Sequence, residues 1–570
     1  MCVTTPIYYV NDRPHIGCVP GGGACGCQQL TLTRPSSLDR RHAYTSTVAD
    51  VYARFSRSSG RDTFFLTGTD EHGLKVEQSA AAKGVTPQAL ADENSASFRA
   101  VMTELNISFD HFIRTTDADH TRQVAALVQR LRDTGAAYLG TFEGWYDAGQ
   151  EEYFAENKAK ELEYKSPVTG RDLVRATEEN YYFRLSAFQD RLLQLYDTHP
   201  QFLQPSSRRN EMLARIREGL QDVPISRTNF SWGIPMPGDS RHVIYVWIDA
   251  LFNYITALGL GDGPDSPLRA RRQAYWPASM HIMAKEIAWF HAVIWPAMLM
   301  ALELPLPGKV YAHSFWIRDG MKMSKSLGNF VDLATMQRYI ACYGLDAFRY
   351  YLVVDGPLGA TDANFSSERL HDIYTADLVN TLGNCASRVT AMIGKYYDGA
   401  TPGETDPTTG QRVAVTTITG APALDWPARA AVAADTCLSA YEALDLATAA
   451  RAAVALVTEV DVYIQSTEPF KMAKDDSRRA ELGAILYHSM EAVRIAGALL
   501  SPVLPTKMQE LALALGEDTA QPLGSRVTWG GLPPGRLLPK LALFPRVDSP
   551  DAAPPAASAP AKTGKKQKGG

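Results

Sequence analysis

Cysteine is scarce and poorly placed for cross-linking: seven occur in 570 residues, with Cys18, Cys25 and Cys27 crowded together and none between Cys27 and Cys342. That excludes a disulfide framework. No apolar run approaches the roughly 20 residues needed to cross a bilayer, which excludes a chain built from spanning helices. One-signed charge is missing as well, since 57 Lys and Arg stand against 62 Asp and Glu for a formal −5. Contact with nucleic acid, if made, must therefore use local basic patches. No basic-then-apolar leader precedes the first strand-like run, so a targeting peptide is not expected unless the true start lies upstream.

The residues present read as several units, because about one domain per 150 residues gives three or four. Residues 3–10 form a β-rich run, residues 43–55 (AYTSTVADVYARF) carry apolar positions at helical spacing, and residues 61–68 (RDTFFLTG) read as a second buried strand. This alternation predicts an α/β fold with a Rossmann-like parallel sheet over residues 1–135. Residues 136–235 loosen into hairpin-like, charged segments and are read as an inserted domain; residues 242–258 (HVIYVWIDALFNYITAL) return to strand and helix, opening a second sheet half over 236–335. After a connecting region at 336–370, long amphipathic stretches such as 429–455 and 478–500 predict an all-α bundle over 371–545. Residues 546–570 are Pro/Ala/Ser-rich and end in lysines, a composition that cannot bury enough apolar surface to order itself.

Two short motifs carry chemistry. Pro14-His15-Ile16-Gly17 stands near the start and Lys322-Met323-Ser324-Lys325-Ser326 near the end of the second half. They resemble the two signatures of class I aminoacyl-tRNA synthetases, in which imidazoles at a helix N-terminus and mobile ammonium groups neutralise charge building on the phosphates of ATP. A solvated basic loop is the plain alternative for Lys322 and Lys325. Thr5-Pro6-Ile7-Tyr8-Tyr9-Val10-Asn11, LTGTDEHG at 66–73, YVWIDALFNY at 245–254 and HAVIWPAML at 291–299 resemble, within that class, the methionyl-tRNA synthetases, in the organellar and bacterial branch. The similarity runs over nearly the whole chain outside residues 18–41 and the tail.

That resemblance implies ATP-dependent activation of methionine and transfer of the methionyl group to tRNA(Met). It assigns Ile7, Tyr9, Trp247, Ala250, Leu251, Tyr254, Ile287 and His291 to the methionine pocket and sets Asp70 against the amino group. A soft thioether suits aromatic and aliphatic walls. The aromatics are equally compatible with ordinary core packing, and Asp70 with a helix cap. His15, Gly17 and His42 are implied at the ATP phosphates, Lys322 and Lys325 at the pyrophosphate, and Glu286 at the ribose. Met283-Ala284-Lys285-Glu286 departs from the Gly-Lys-Asp usual in the family, and the methyl of Ala284 is expected to crowd the nucleotide. Asn384, Arg388 and Phe470 resemble the anticodon-reading residues, with Phe470 replacing a usual Trp; core packing after Pro469 is the alternative for the phenyl ring.

Residues 144–171, where many relatives carry zinc knuckles, hold no cysteine and no paired His-Cys spacing, so no structural zinc is predicted and Mg²⁺ is expected only with ATP. Residues 18–41 (CVPGGGACGCQQLTLTRPSSLDRR) separate Gly17 from His42, which the family pattern places next to one another. Translated intron is the reading we prefer. If the segment is genuine, a catalytically impaired tRNA-binding relative becomes the alternative. Other expectations are a monomer and a mitochondrial-matrix location, with the cytoplasm as alternative. An aliphatic- or cysteine-specific synthetase lacks here the room for an editing insertion or the zinc ligands, and a simple nucleotidyltransferase leaves the helical third unexplained.

Overall fold

The computed structural model describes residues 1–10, 40–147, 152–154, 156–166, 170–318, 320–323, 331, 333–405, 412–413 and 424–551. His15, Gly17 and Lys325 lie outside these residues, as do the side chains of His42 and Lys322.

The first parallel strands are β1 (Cys2–Thr4), β2 (Tyr8–Tyr9), β3 (Phe64–Asp70) and β4 (His111–Arg114). β1 and β2 pair with successive stretches of β3, Cys2 opposite Phe64 and Tyr9 opposite Asp70. The single run expected over residues 3–10 is therefore broken at Thr5–Ile7, where Pro6 has no N–H to give a ladder. All seven residues of β3 are buried, as strands covered on both faces should be. Gly68 is obligatory there, since a Cβ would stand 1.9 Å from the Ile113 carbonyl oxygen of β4. Helices α1 (Arg40–Ser58), α2 (Leu74–Lys83), α3 (Pro87–Glu104) and α4 (Ala118–Asp133) flank this half.

The chain then leaves the parallel sheet for an antiparallel one. Strands β5 (Ala137–Asp147), β6 (Glu152–Phe154) and β7 (Val174–Phe183), with Val223–Pro224, form four strands. Strand β8 (Leu203–Gln204) returns to the edge of the parallel sheet. Asp239–Ile244, the strand expected to resume that sheet, instead belongs to a small antiparallel sheet with Ser226–Arg227 and Pro235–Met236. It leads into α5 (Val246–Thr256); β9 (Met280–Ala284) and β10 (Val310–His313) then complete the parallel sheet in the order β4, β3, β1 with β2, β9, β10, β8.

After β11 (Trp316–Arg318), β12 (Met321–Lys322) and β13 (Ala363–Asn364) form a small sheet, helices dominate. These include α6 (Leu345–Val354), α7 (Asn384–Tyr396), α8 (Trp426–Glu442), α9 (Leu446–Thr467), α10 (Arg479–Leu500) and α11 (Pro505–Leu515). α10 is buried from Leu482 to Leu500, the all-round apolar character of a central helix. Its buried Glu491 accepts from the N–H groups of Gly530, Gly531 and Leu532 and pairs with Arg494 at 2.7 Å, fastening the returning chain. The helical stretch expected over 429–455 is two helices. Leu444 takes φ +62° and Asp445 caps α9 by accepting from the Thr448 N–H at 3.2 Å. Asp445→Ala is expected to cost about 1 kcal/mol, as a shift of the thermal or urea midpoint.

The bundle and the α1 face of the parallel sheet share one apolar cluster. Inside it Arg349 of α6 is fully buried and donates to Asp50 of α1 at 2.6 Å and to the Val503 carbonyl at 3.2 Å. Burial alone would raise the Asp50 carboxyl, but Arg349 and Arg54 hold it below its ordinary range.

Candidate active site

The carboxyl ends of β2, β3 and β9 open into a cavity of about 280 Å³, closed on one side by α5. Ligands bind at this edge in open α/β sheets. Every residue assigned to the methionine pocket lines it: Ile7 and Tyr9 from the interrupted first strand, Asp70 from the end of β3, Trp247, Ala250, Leu251 and Tyr254 from α5, and Ile287 and His291 beyond β9. The i, i+3, i+4, i+7 spacing of the four α5 residues puts them on one helical face. Glu286 and Ala284 line the cavity too, whereas Lys285 does not; its ammonium meets Asp362 at 2.6 Å and the face of Phe315 at 4.6 Å.

Local chemistry fits an apolar side chain with one soft atom. Trp247 stacks on Phe290 with centroids 3.9 Å apart and planes 9° off parallel, which makes a flat wall. The chain takes a π-helical turn at Phe290–Ile294, and His291 sits in it. Burial pushes the His291 imidazole down to about 4, so it is neutral near pH 7. Its Nδ1 donates to the Ile287 carbonyl at 3.0 Å, leaving Nε2 to accept from the Tyr254 hydroxyl at 2.8 Å. Behind Tyr254 lies His281, 4.3 Å between ring centroids, bound to Thr4 Oγ1 at 2.6 Å.

At the other end Asp70 is buried, and its Oδ1 has no hydrogen-bond partner among the described residues. Burial first, then the neighbouring Asp249 and Glu71, raise its carboxyl well above the ordinary range. The cap role that sequence left open is not what the geometry gives, since α2 starts after Gly73 and has no side-chain cap.

Pro6, Tyr8, Thr45, Lys75, Val246 and Asn253 also line the cavity, although none of them is assigned a site role from the sequence. Thr45 had a signal, lying one helical turn beyond His42; its Oγ1 bonds His313 Nε2 at 2.7 Å. In the bundle, Asn384 is exposed at the start of α7, and Arg388 reaches Asp461 of α9 at 3.2 Å. Phe470 is 47 % exposed while Met472 is buried, so Met472 and not Phe470 fills the core after Pro469. Among the described residues no cluster of His, Cys, Asp and Glu is arranged to hold a metal ion.

A family profile for class I tRNA synthetases of the methionine type matches residues 41–162 and 157–390, beginning beyond nearly all of the segment that separates Gly17 from His42. The methionine–tRNA ligase of Streptomyces coelicolor is 40 % identical over 567 residues, covering 97 % of this chain and 97 % of that protein. The chain belongs to the methionyl-tRNA synthetases. The Halalkalibacterium halodurans ligase, also 40 % identical, aligns over 96 % of this chain and 78 % of its own length. Among solved structures, the Mycobacterium tuberculosis methionyl-tRNA synthetase in complex with methionyl-adenylate matches with a TM-score of 0.81 and 36 % identity, over 96 % of this chain and 99 % of that one. As a methionine–tRNA ligase of class I, this synthetase activates methionine with ATP and charges tRNA, on a Rossmann-like sheet followed by a helical bundle.

Proposed function

We propose that the cavity between α5 and the ends of β2, β3 and β9 is where this chain holds methionine, with Asp70 on the ammonium and Trp247, Tyr254, Ile287 and His291 around the thioether. The observation that carries this reading is the convergence of nine residues, drawn from four separate stretches of sequence, on one cavity. An uncharged wall gives the sulfur soft contacts, and an ionised Asp70 gives the ammonium a charge-assisted partner.

The reaction then follows from where charge develops. The methionine carboxylate attacks the α-phosphorus of ATP, pyrophosphate departs, and methionyl-adenylate remains. His15, Gly17 and His42 bind the phosphates, Lys322 and Lys325 stabilise the departing pyrophosphate, and Glu286 takes the ribose hydroxyls. Mg²⁺ carried in with ATP would supply neutralising charge to the phosphates that these residues hold. In the second step the terminal adenosine 2′-hydroxyl of tRNA(Met) attacks the acyl carbon and AMP leaves.

Asn384, Arg388 and Phe470 read the anticodon. The exposure of Phe470 supports a stacking role, because a ring committed to the core offers no face to a base. Phe470→Ala is expected to lower kcat/KM for tRNA(Met) by about 10-fold, the order of one lost base stack, while methionine-dependent pyrophosphate exchange stays unchanged and specific for methionine over leucine. Equal losses in both assays would count against the anticodon role. Exchange supported by leucine would count against the pocket.

The division at about residues 135, 235, 335, 370 and 545 is our domain reading, with the protein acting as a monomer without structural zinc in the mitochondrial matrix. The translated-intron reading of residues 18–41 points to a eukaryote, where the Thr-Pro-Ile-Tyr-Tyr opening resembles the organellar rather than the cytosolic form; together they support the location, with the cytoplasm as the alternative. A tagged chain found in the cytosol alone would contradict it.

A further inference from the structure

Asp70, at the polar end of the cavity, has two further carboxylates beside it, Glu71 and Asp249, and both of those are answered. Glu71 is fully buried, gripped by the Arg114 fork at 2.8 Å on each oxygen and by the Thr69 hydroxyl at 2.6 Å. Asp249 lies on α5 but not on the cavity face formed by Trp247, Ala250, Leu251 and Tyr254, and it is absent from the lining. Each of its oxygens takes one imidazole, His72 Nδ1 at 2.7 Å and His120 Nε2 at 2.7 Å. His120 is held in turn through Nδ1 by Thr256 Oγ1 at 2.7 Å, and His72 lies edge-on to Trp232 at 5.4 Å. Of these three, Asp70 alone lines the cavity, and it alone keeps an oxygen without a partner among the described residues.

We propose that Asp249, gripped between His72 and His120, is a positioning residue for amino-acid recognition: it fixes the Thr-Asp-Glu-His turn through His72 and sets the charge felt by Asp70, so that this carboxylate seeks the α-ammonium of methionine. The inference rests on the reading that Asp70 meets that ammonium. Two physical links connect Asp249 to Asp70. The first is mechanical, because the backbone N–H of His72 hydrogen-bonds Asp70 while the His72 ring is pinned by Asp249. The second is electrostatic: Asp249 is itself held below its ordinary range by its two imidazoles in spite of burial, so it stays ionised and its charge raises Asp70.

The charged and titratable groups around Asp70 and its cavity are therefore Asp249 from α5, Glu71 and His72 from its own turn, His120 from α4, Arg114 from β4 through Glu71, Lys75 from α2, the Tyr9 hydroxyl from β2 and, in the same lining, Glu286, His291 and the Tyr254 hydroxyl. Proton balance sets the sign. Asp70 must be ionised to hold the ammonium, so methionine affinity falls as pH drops through its raised value. Removing the Asp249 charge brings that fall to lower pH. Removing one imidazole leaves an Asp249 oxygen unanswered, strengthens its field and brings the fall to higher pH.

The test is the methionine dissociation constant, measured by calorimetry on the full chain between about pH 4.5 and 8, for the wild type, Asp249→Asn and His120→Leu. We expect the acid limb to move down by about one pH unit in D249N and up in H120L, which has no donor for the Asp249 oxygen, the size a neighbouring charge commonly produces. If D249N does not fold, the upward shift in H120L alone decides. Limbs at the same pH in all three proteins, with only thermal midpoints changed, would overturn the proposal and reduce the trio to packing. A wild type with no acid limb at all would refute the Asp70 reading instead.

Discussion

Deleting residues 18–41 is expected to raise methionine-dependent ATP–pyrophosphate exchange by at least about 10²-fold. Transition-state stabilisation by two imidazoles depends on both reaching the same phosphates, and a misplacement of about 1 Å can cost 10²-fold. In the full chain 24 residues separate Gly17 from His42, whereas the deletion makes them neighbours at the start of α1. The family profile starts its match only at residue 41, which supports treating the segment as foreign to the signature. Folding is a weaker concern, because loop closure over such a length costs only a few kcal/mol. Equal exchange by both forms would contradict the proposed need for His15 and His42 to stand together and would remove the case for translated intron.

Asp70→Asn is expected to weaken methionine binding by about 10²-fold to several 10³-fold, the range for removing one partner of a buried charge pair at about 3–5 kcal/mol. The wild-type carboxylate sits in a buried wall with an oxygen that no described residue answers, so the cost of desolvating it is already present before the ligand arrives. The ammonium recovers that cost. An amide of the same shape turns one acceptor into a donor aimed at a cation, and the neighbouring Asp249 and Glu71 are already committed to His72, His120 and Arg114. Loss confined to affinity, with an unchanged thermal midpoint, separates this from misfolding.

The site was legible in the sequence where its residues lie on short, regular elements. Trp247, Ala250, Leu251 and Tyr254 share a helical face by spacing alone, and Asp70 follows a run, residues 61–68, apolar enough to read as a buried strand, which in the fold extends to Asp70 itself. What stayed hidden depends on partners far along the chain. His72 and His120 are 177 and 129 residues from Asp249, and no local pattern announces that one carboxylate holds both. Breaks in regular elements were harder still. The Ala-rich stretch at 429–455 contains no Gly or Pro, so its helical pattern runs on past Leu444, where the chain takes a left-handed residue and Asp445 starts a new helix. Pro6 did carry a warning, because a strand interior cannot use a residue without an N–H. Its consequence, an interrupted strand that delivers Ile7 and Tyr9 to the cavity, required the sheet register. Phe470 shows the opposite case: its neighbourhood after Pro469 suited either core or surface, and exposure decided it.

Calorimetric titration of methionine into the full chain and into Asp70→Asn, without ATP or tRNA, tests the methionine cavity most directly, since it needs none of the phosphate-binding residues. The account predicts one saturable site in the wild type and an affinity lower by about 10²-fold or more in the variant. Equal affinity in the two proteins, or no methionine binding by a folded wild type, would contradict it.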